Sequence, residues 1–322
     1  MAFQRRGLLW LCALAVLLAA CGTPAPAVPT APAGSAEPAP ATPDAAFSAM
    51  FAYDAVAPPA LEEVASEMRG DVRVRDITFP SPNGEKVPAY LLEPPGAGSH
   101  PGVLYVHWYG DRASNRDEFV DEALDLAQGG AVVLLVDDLF AQPVPRHRWK
   151  GAGADEDRAI VIEQIVELRI ALDLLVAQPG VDAARLAFVG HDFGAMFGAV
   201  LAGADPRVKY YVLMTPTTDF ADWFLRGSLL KGEERTKYTE GMAAVAPIHA
   251  ITHASGAAFL FQFADDDSYV SAAQARALFD AAPEPKVTQT YDSGHALHRN
   301  ARATQDRLDW LKKQLGLGSP NP

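Results

Sequence analysis

Cysteine is scarce. There are two in 322 residues, Cys12 and Cys21, and none after position 21. Whatever folds beyond that point has no internal disulfide, no thiolate nucleophile and no cysteine-based metal site. Basic runs are missing too, and no basic stretch is interleaved with aromatics. Against 40 Asp and Glu there are 27 Lys and Arg, a formal charge of −13. Such a surface repels nucleic acid and anionic lipid. The chain also lacks an apolar run long enough to span a bilayer comfortably; the longest, LLWLCALAVLLAA, has roughly 13 residues. No internal repeat and no second linker interrupts the sequence, so one domain is the simplest count. His249 and His253 have no third ligand at suitable spacing, so no metal is expected. No cofactor is implied either.

What is present begins with a targeting segment. MAFQRRG supplies positive charge and the apolar run follows at once, the layout of a signal peptide over residues 1–20. LAAC, ending at Cys21, resembles the lipobox of bacterial lipoproteins. That resemblance implies cleavage before Cys21, acylation of its side chain, and an exported protein held to a bacterial membrane by lipid. Residues 21–46 are rich in Pro, Ala and Thr, which makes a semi-extended spacer. The globular domain is expected over 47–322.

Within it, DVRVRDITF (71–79) and KVPAYLLEP (86–94) flank a Pro/Asn/Gly turn and read as an antiparallel pair. Strands then alternate with helices. GVLYVH (102–107) and AVVLLVD (131–137) are continuous apolar runs, as a sheet covered on both faces requires. A helix lies between them. Val161, Ile165, Leu168, Leu172 and Leu175 recur at helical spacing and predict a long helix over Asp155–Val176. Strands follow at 184–190, 209–214, 257–263 and 286–291, and a terminal helix at about 300–315. Eight strands with an initial hairpin and then β-α alternation predict an α/β fold, a mostly parallel, doubly wound sheet.

In such sheets functional groups gather at the carboxyl ends of strands. After the fifth expected strand comes Gly190-His191-Asp192-Phe193-Gly194. Two glycines let a strand turn sharply into a helix and force the residue between them into an exposed, strained position. The bland alternative is that Asp192 caps the following helix. After the seventh strand comes ADDDSYV and after the eighth DSGHALH. An acid and then a histidine, both downstream of the turn, give the chain order of a hydrolytic triad. HWYG (107–110) follows the third strand.

With these stretches in place the sequence resembles the α/β-hydrolase superfamily, and within it the dienelactone-hydrolase-like branch of esterases, over roughly residues 70–315. The supporting segments are YVHWYG, VVLLVDDLF, VDAARLAFVGHDFGA, FLFQFADDDSYV and YDSGHALH. The resemblance implies a triad of Asp192, His295 and Asp267, with an oxyanion hole made by the main-chain N–H of Phe193 and one from Trp108 or Tyr109. One feature departs from that branch. Its nucleophile is usually Cys or Ser, whereas an Asp at this position is what epoxide hydrolases and haloalkane dehalogenases carry. Those relatives have a substantial cap; here only some 40 residues, about 215–256, separate the sixth and seventh strands.

A carboxylate nucleophile attacks a saturated carbon and leaves an ester on the protein, which water activated by His295 then hydrolyses. The substrate is therefore a small molecule: an ester, lactone, epoxide or alkyl halide. On esters, His295 can instead activate water directly, with Asp192 as an electrostatic partner. Trp108, Tyr109, Trp223 and Tyr238 are candidates to assist the leaving group. His191 and His107 are expected to be hydrogen-bonded supports. The alternative from another class is a non-catalytic surface lipoprotein that binds a ligand on a hydrolase scaffold.

Overall fold

The apolar runs become the centre of a nine-stranded sheet. In a computed structural model of the protein, residues 45–55, 60–110, 113–151 and 153–318 are described. The expected signal peptide, Cys21 and nearly all of the expected linker lie outside them. Among the described residues, no helix is long and apolar enough to cross a membrane.

The strands are β1 Glu62–Arg69, β2 Val72–Pro80, β3 Lys86–Glu93, β4 His100–Val106, β5 Val132–Val136, β6 Val181–His191, β7 Tyr210–Met214, β8 Ala258–Ala264 and β9 Lys286–Tyr291. Their order across the sheet is β1-β2-β3-β5-β4-β6-β7-β8-β9. The first three strands and β5 pair antiparallel, and every pair from β5 to β9 is parallel. Crossovers between parallel strands need helices. Among the described residues the α-helices are α1 Ala45–Ala49, α2 Val120–Gln128, α3 Ala154–Val176, α4 Phe193–Ala204, α5 Phe220–Phe224, α6 Gly232–Met242, α7 Pro247–Ala250, α8 Ala272–Ala281 and α9 Ala301–Leu315.

Alternation within each strand splits the core in two. On β4, Val103 and Tyr105 face α2 and α9, among Phe119, Leu126, Leu308 and Leu311. Leu104 and Val106 face the other way, among Val161, Ile165, Leu168 and Leu172 of α3 and the apolar residues of α4. The stripe expected on α3 is the stripe that is buried. One polar contact crosses the first layer: Arg307 of α9, fully buried, holds the carboxylate of Glu122 on α2 with two guanidinium nitrogens.

The ninth strand is β1, for which the sequence carries no signal. All eight of its residues are exposed, so it shows no apolar alternation. Charge pairs hold it to its neighbours: Glu62 with Lys86 (2.6 Å), and Glu63 with Arg75 (2.6 Å) and Arg73 (3.3 Å). Strands counted from the sequence as third, fifth, seventh and eighth are therefore β4, β6, β8 and β9.

Gly194 marks how tightly the first turn of α4 lies against the sheet. A Cβ there would overlap the main-chain oxygens of Val106 and His107, and one on Gly190 would overlap the main chain of Gly194 and Ala195. Backbone on both sides cannot yield as a side chain would. Gly194→Ala is expected to destabilise the fold by at least about 2 kcal/mol, read as a fall in thermal midpoint.

Candidate active site

The turn from β6 into α4 places Asp192 at φ 53°, ψ −110°, one of two non-glycine residues with positive φ among those described. Holding a side chain there costs of order 1–3 kcal/mol, and such strain persists where the surroundings enforce it. The capping alternative is not what the side chain does. Asp192 occupies the N-cap position of α4 but makes no capping hydrogen bond. It is fully buried. Its Oδ2 accepts from Tyr109 N–H at 3.1 Å, and its Oδ1 has no hydrogen-bond partner.

His295 follows β9, and Asp267 lies in the loop after β8. The imidazole Nδ1 donates to Asp267 Oδ2 at 2.8 Å. Its Nε2 faces Asp192 Oδ1 at 3.5 Å, beyond hydrogen-bonding reach, and is likewise unpartnered. Asp267 Oδ1 accepts from the N–H groups of Tyr269 (2.8 Å) and Val270 (3.0 Å), which orients the carboxylate. Burial would raise the Asp267 pKa, but the His295 imidazole and these two N–H donors outweigh it and hold it below the ordinary carboxylate value. Burial pulls His295 the other way, downwards. The two carboxylates, Asp192 and Asp267, outweigh it and lift the imidazole to about 9. At neutral pH the resting site is an imidazolium between two carboxylates.

The three residues expected to form a triad are thus brought together. The oxyanion candidates separate. Tyr109 N–H points at Asp192, and Phe193 N–H belongs to the first turn of α4, where no intrahelical acceptor exists. Trp108 N–H donates instead to Glu118 Oε2 at 2.7 Å.

Above His295 lies a cavity of about 330 Å³ lined by Trp108, Tyr109, Gly110, Trp149, Trp223, Arg226, Tyr269 and His295. Asp192 itself has no exposed surface. Phe193, Phe140 and Phe224 pack around Trp149 at centroid distances of 5.1–5.6 Å. Trp223, from the short segment between β7 and β8, is 8% exposed, and its indole Nε1 has no partner. Tyr238 does not reach the cavity; its hydroxyl donates to Asp157 at 2.7 Å. Arg226 stands over the rings of Tyr269 (4.4 Å) and Trp223 (5.5 Å), an exposed cation at the rim.

Two supports expected from the sequence are hydrogen-bonded. His107 Nδ1 donates to Trp108 O at 2.7 Å, and its Nε2 accepts from Asp138 N–H at 3.1 Å. His191 Nε2 donates to His295 O at 3.0 Å. Three participants escaped the sequence reading: Glu118, Trp149 and the Glu122–Arg307 pair. Glu118 sits in a segment read only as helix, and Trp149 in an irregular loop. Glu118, His191 and His298 converge, but Glu118 Oε1 and His191 Nδ1 are 2.6 Å apart. That is a hydrogen-bond spacing, too close for two ligands flanking one cation at about 2 Å from each in a tetrahedral site. His249 and His253 belong to no group of three metal-ligating side chains among the described residues.

Strand order, the strained turn and the histidine after the last strand define the α/β-hydrolase fold. Comparison with solved structures agrees. The chain superposes on an acetyl xylan esterase from Paenibacillus sp. R4 with a TM-score of 0.68 at 17% identity, covering 83% of this chain and 91% of that one. Acetyl xylan esterase 1 from Thermoanaerobacterium sp. JW/SL YS485 gives 0.65 at 16% identity, over 81% and 89%. A protein assigned as a dienelactone hydrolase in Klebsiella pneumoniae gives 0.56 at 18% identity, over 77% and 100%. No family model matches the sequence, and no curated protein does.

Proposed function

We propose that the chain is a hydrolase in which the Asp192 carboxylate is the nucleophile, His295 the base and Asp267 its orienting acid. The observation that carries this reading is the division of labour within one carboxylate. Oδ2 is held by Tyr109 N–H, while Oδ1 is unbonded and faces His295. In the first step Oδ1 bonds to a carbon of the substrate, and the bond from that carbon to its leaving atom breaks, the electron pair departing with the leaving atom. In the second step His295 Nε2 takes a proton from water, and the hydroxide adds to the Asp192 carboxyl carbon. Oδ2 becomes the oxyanion, already beside Tyr109 N–H and the start of α4. Collapse expels the alcohol, which takes that proton from His295; the resting proton of the imidazole, given up to the leaving group or to water in the first step, is restored by the Asp192 carboxyl.

The proton balance favours this order over direct activation of water on an ester. With both carboxylates ionised, His295 holds its proton up to about pH 9 and cannot act as a base at neutrality. Esterification of Asp192 removes one of those charges, so the imidazole pKa falls just when a base is needed. The carboxylate argues for a saturated electrophilic carbon, as in an epoxide, an alkyl halide or the alkyl side of an activated ester or lactone. The aromatic cavity suits an apolar group, and Trp223 Nε1–H offers an unused donor for the leaving atom. Hydrolysis of the ester type is supported by the structural neighbours, two of which are acetyl xylan esterases.

A single turnover in ¹⁸O-water distinguishes the routes. With enzyme in excess over an epoxide, haloalkane or activated ester, ¹⁸O is expected in the Asp192 carboxylate and not in the first product. Label in the product alone would overturn the covalent route.

A further inference from the structure

One buried carboxyl lies between the segments of this site. Glu118 ends the turn before α2, its side chain only 3% exposed. It touches each segment that carries a reacting group. Oε2 accepts Trp108 N–H from the loop that also supplies Tyr109, and Oε1 meets His191 Nδ1 at the end of β6. Oε1 also lies 3.4 Å from His298 Nδ1 in the histidine loop.

The hydrogens on His191 follow from its partners. His295 O is a carbonyl and can only accept, so His191 Nε2 carries the hydrogen of that 3.0 Å bond. His191 is fully buried, and burial, with the charge of His295 beside it, pushes its pKa down to about 3. It is therefore neutral, and Nδ1 is a bare lone pair. A lone pair 2.6 Å from an ionised carboxylate oxygen would be repelled; the spacing requires a hydrogen between them. With His191 neutral, Glu118 is its source. Trp108 seals the arrangement, its indole stacked on His191 at 5.3 Å and 7°.

We propose that Glu118 is a positioning residue that carries a proton in the working protein and, by donating it to His191 Nδ1, fixes the tautomer with which His191 holds the main chain of His295. The inference takes His295 as the base of the reaction, but its first readout needs no turnover.

The surroundings agree. Burial pushes Glu118 up to about 7, outweighing Trp108 N–H, His107 and Arg307, which draw it down. The remaining charged groups that face it are His191 itself and Glu122, whose charge is matched by Arg307. His298 is kept neutral by burial, its pKa down at about 4. The sign follows. Glu118 is more basic in the fold than in the open chain, so the stability it contributes is complete below about pH 4.5 and is lost as pH rises through about 7. Above that value an anion faces the His191 lone pair and the bridge opens.

The test uses the full chain labelled with ¹⁵N-histidine. At pH 5.5, His191 is expected as the Nε2–H tautomer. Infrared difference spectra are expected to show a protonated carboxyl that disappears with a midpoint near 7 and is missing in Glu118→Gln. His191 protonated on Nδ1, or no such carboxyl at pH 5.5, would overturn the proposal. On a turned-over substrate, wild-type kcat is expected to fall on an alkaline limb with the same midpoint. Glu118→Gln, whose amide can still donate to His191 and accept from Trp108, should keep at least a third of kcat at pH 6 and lose that limb. Glu118→Leu should lose more than tenfold. A limb that persists in Glu118→Gln overturns the proposal even if Glu118→Leu fails to fold. If no substrate is found, the two spectroscopic readouts decide alone, so failure of the hydrolase reading is told apart from failure of this one.

Discussion

Asp192→Asn is expected to lower kcat by about 10⁴-fold, about 5.5 kcal/mol of transition-state stabilisation. The amide is nearly isosteric and its oxygen can still accept from Tyr109 N–H, so the fold should hold. What it lacks is the anion that attacks carbon. The substitution also removes one of the two charges that keep His295 protonated. The imidazole should then titrate lower in Asp192→Asn than in the wild type, which NMR titration of His295 measures directly. The two effects separate the alternatives. If His295 activated water directly on an ester, Asp192→Asn would free the base at neutral pH, and turnover would survive or rise. Loss of turnover with a lowered His295 pKa supports the nucleophile. Ester turnover within tenfold of wild type would sink it.

His295→Gln should trap what Asp192→Asn prevents. The first step needs only the free Oδ1 and a leaving group, whereas hydrolysis of the resulting ester needs a base. Steady-state kcat is expected to fall by roughly 10³–10⁴-fold while one equivalent of leaving group appears in a burst. Intact mass should increase by the substrate's alkyl portion, and peptide mapping should place that increase on Asp192. A variant that loses turnover but accumulates no adduct with epoxides, haloalkanes or activated esters would show that His295 acts before any covalent step. In the proposed second step Asp267 supports the imidazole. Held by two main-chain N–H groups, it keeps the ring oriented and stabilises the imidazolium that forms.

Much of the frame was legible because burial leaves a periodic trace. The runs at 103–106 and 131–136 are apolar at every position because both faces of β4 and β5 are covered. The stripe on α3 is the set of side chains turned to the sheet. The turn at Asp192 was legible because only glycine fits beside it, where a Cβ would meet main-chain oxygen. β1 left no trace because every residue of it is exposed, and pairing by main-chain bonds and surface charge imposes no alternation.

The sequence by itself determined that a mostly parallel α/β sheet would form, and that Asp192, Asp267 and His295 would follow the ends of β6, β8 and β9, because strand periodicity and chain order are local properties. Only the tertiary structure decided how those groups are engaged. Trp108 loses its N–H to Glu118 and Tyr109 keeps its own for Asp192 because a residue ten positions away folds back under the loop. Oδ1 is left unbonded and Oδ2 held by a spacing of three segments distant in the chain. Hydrogen bonds and pKa values depend on fractions of an ångström and on burial, and neither is written in the order of residues.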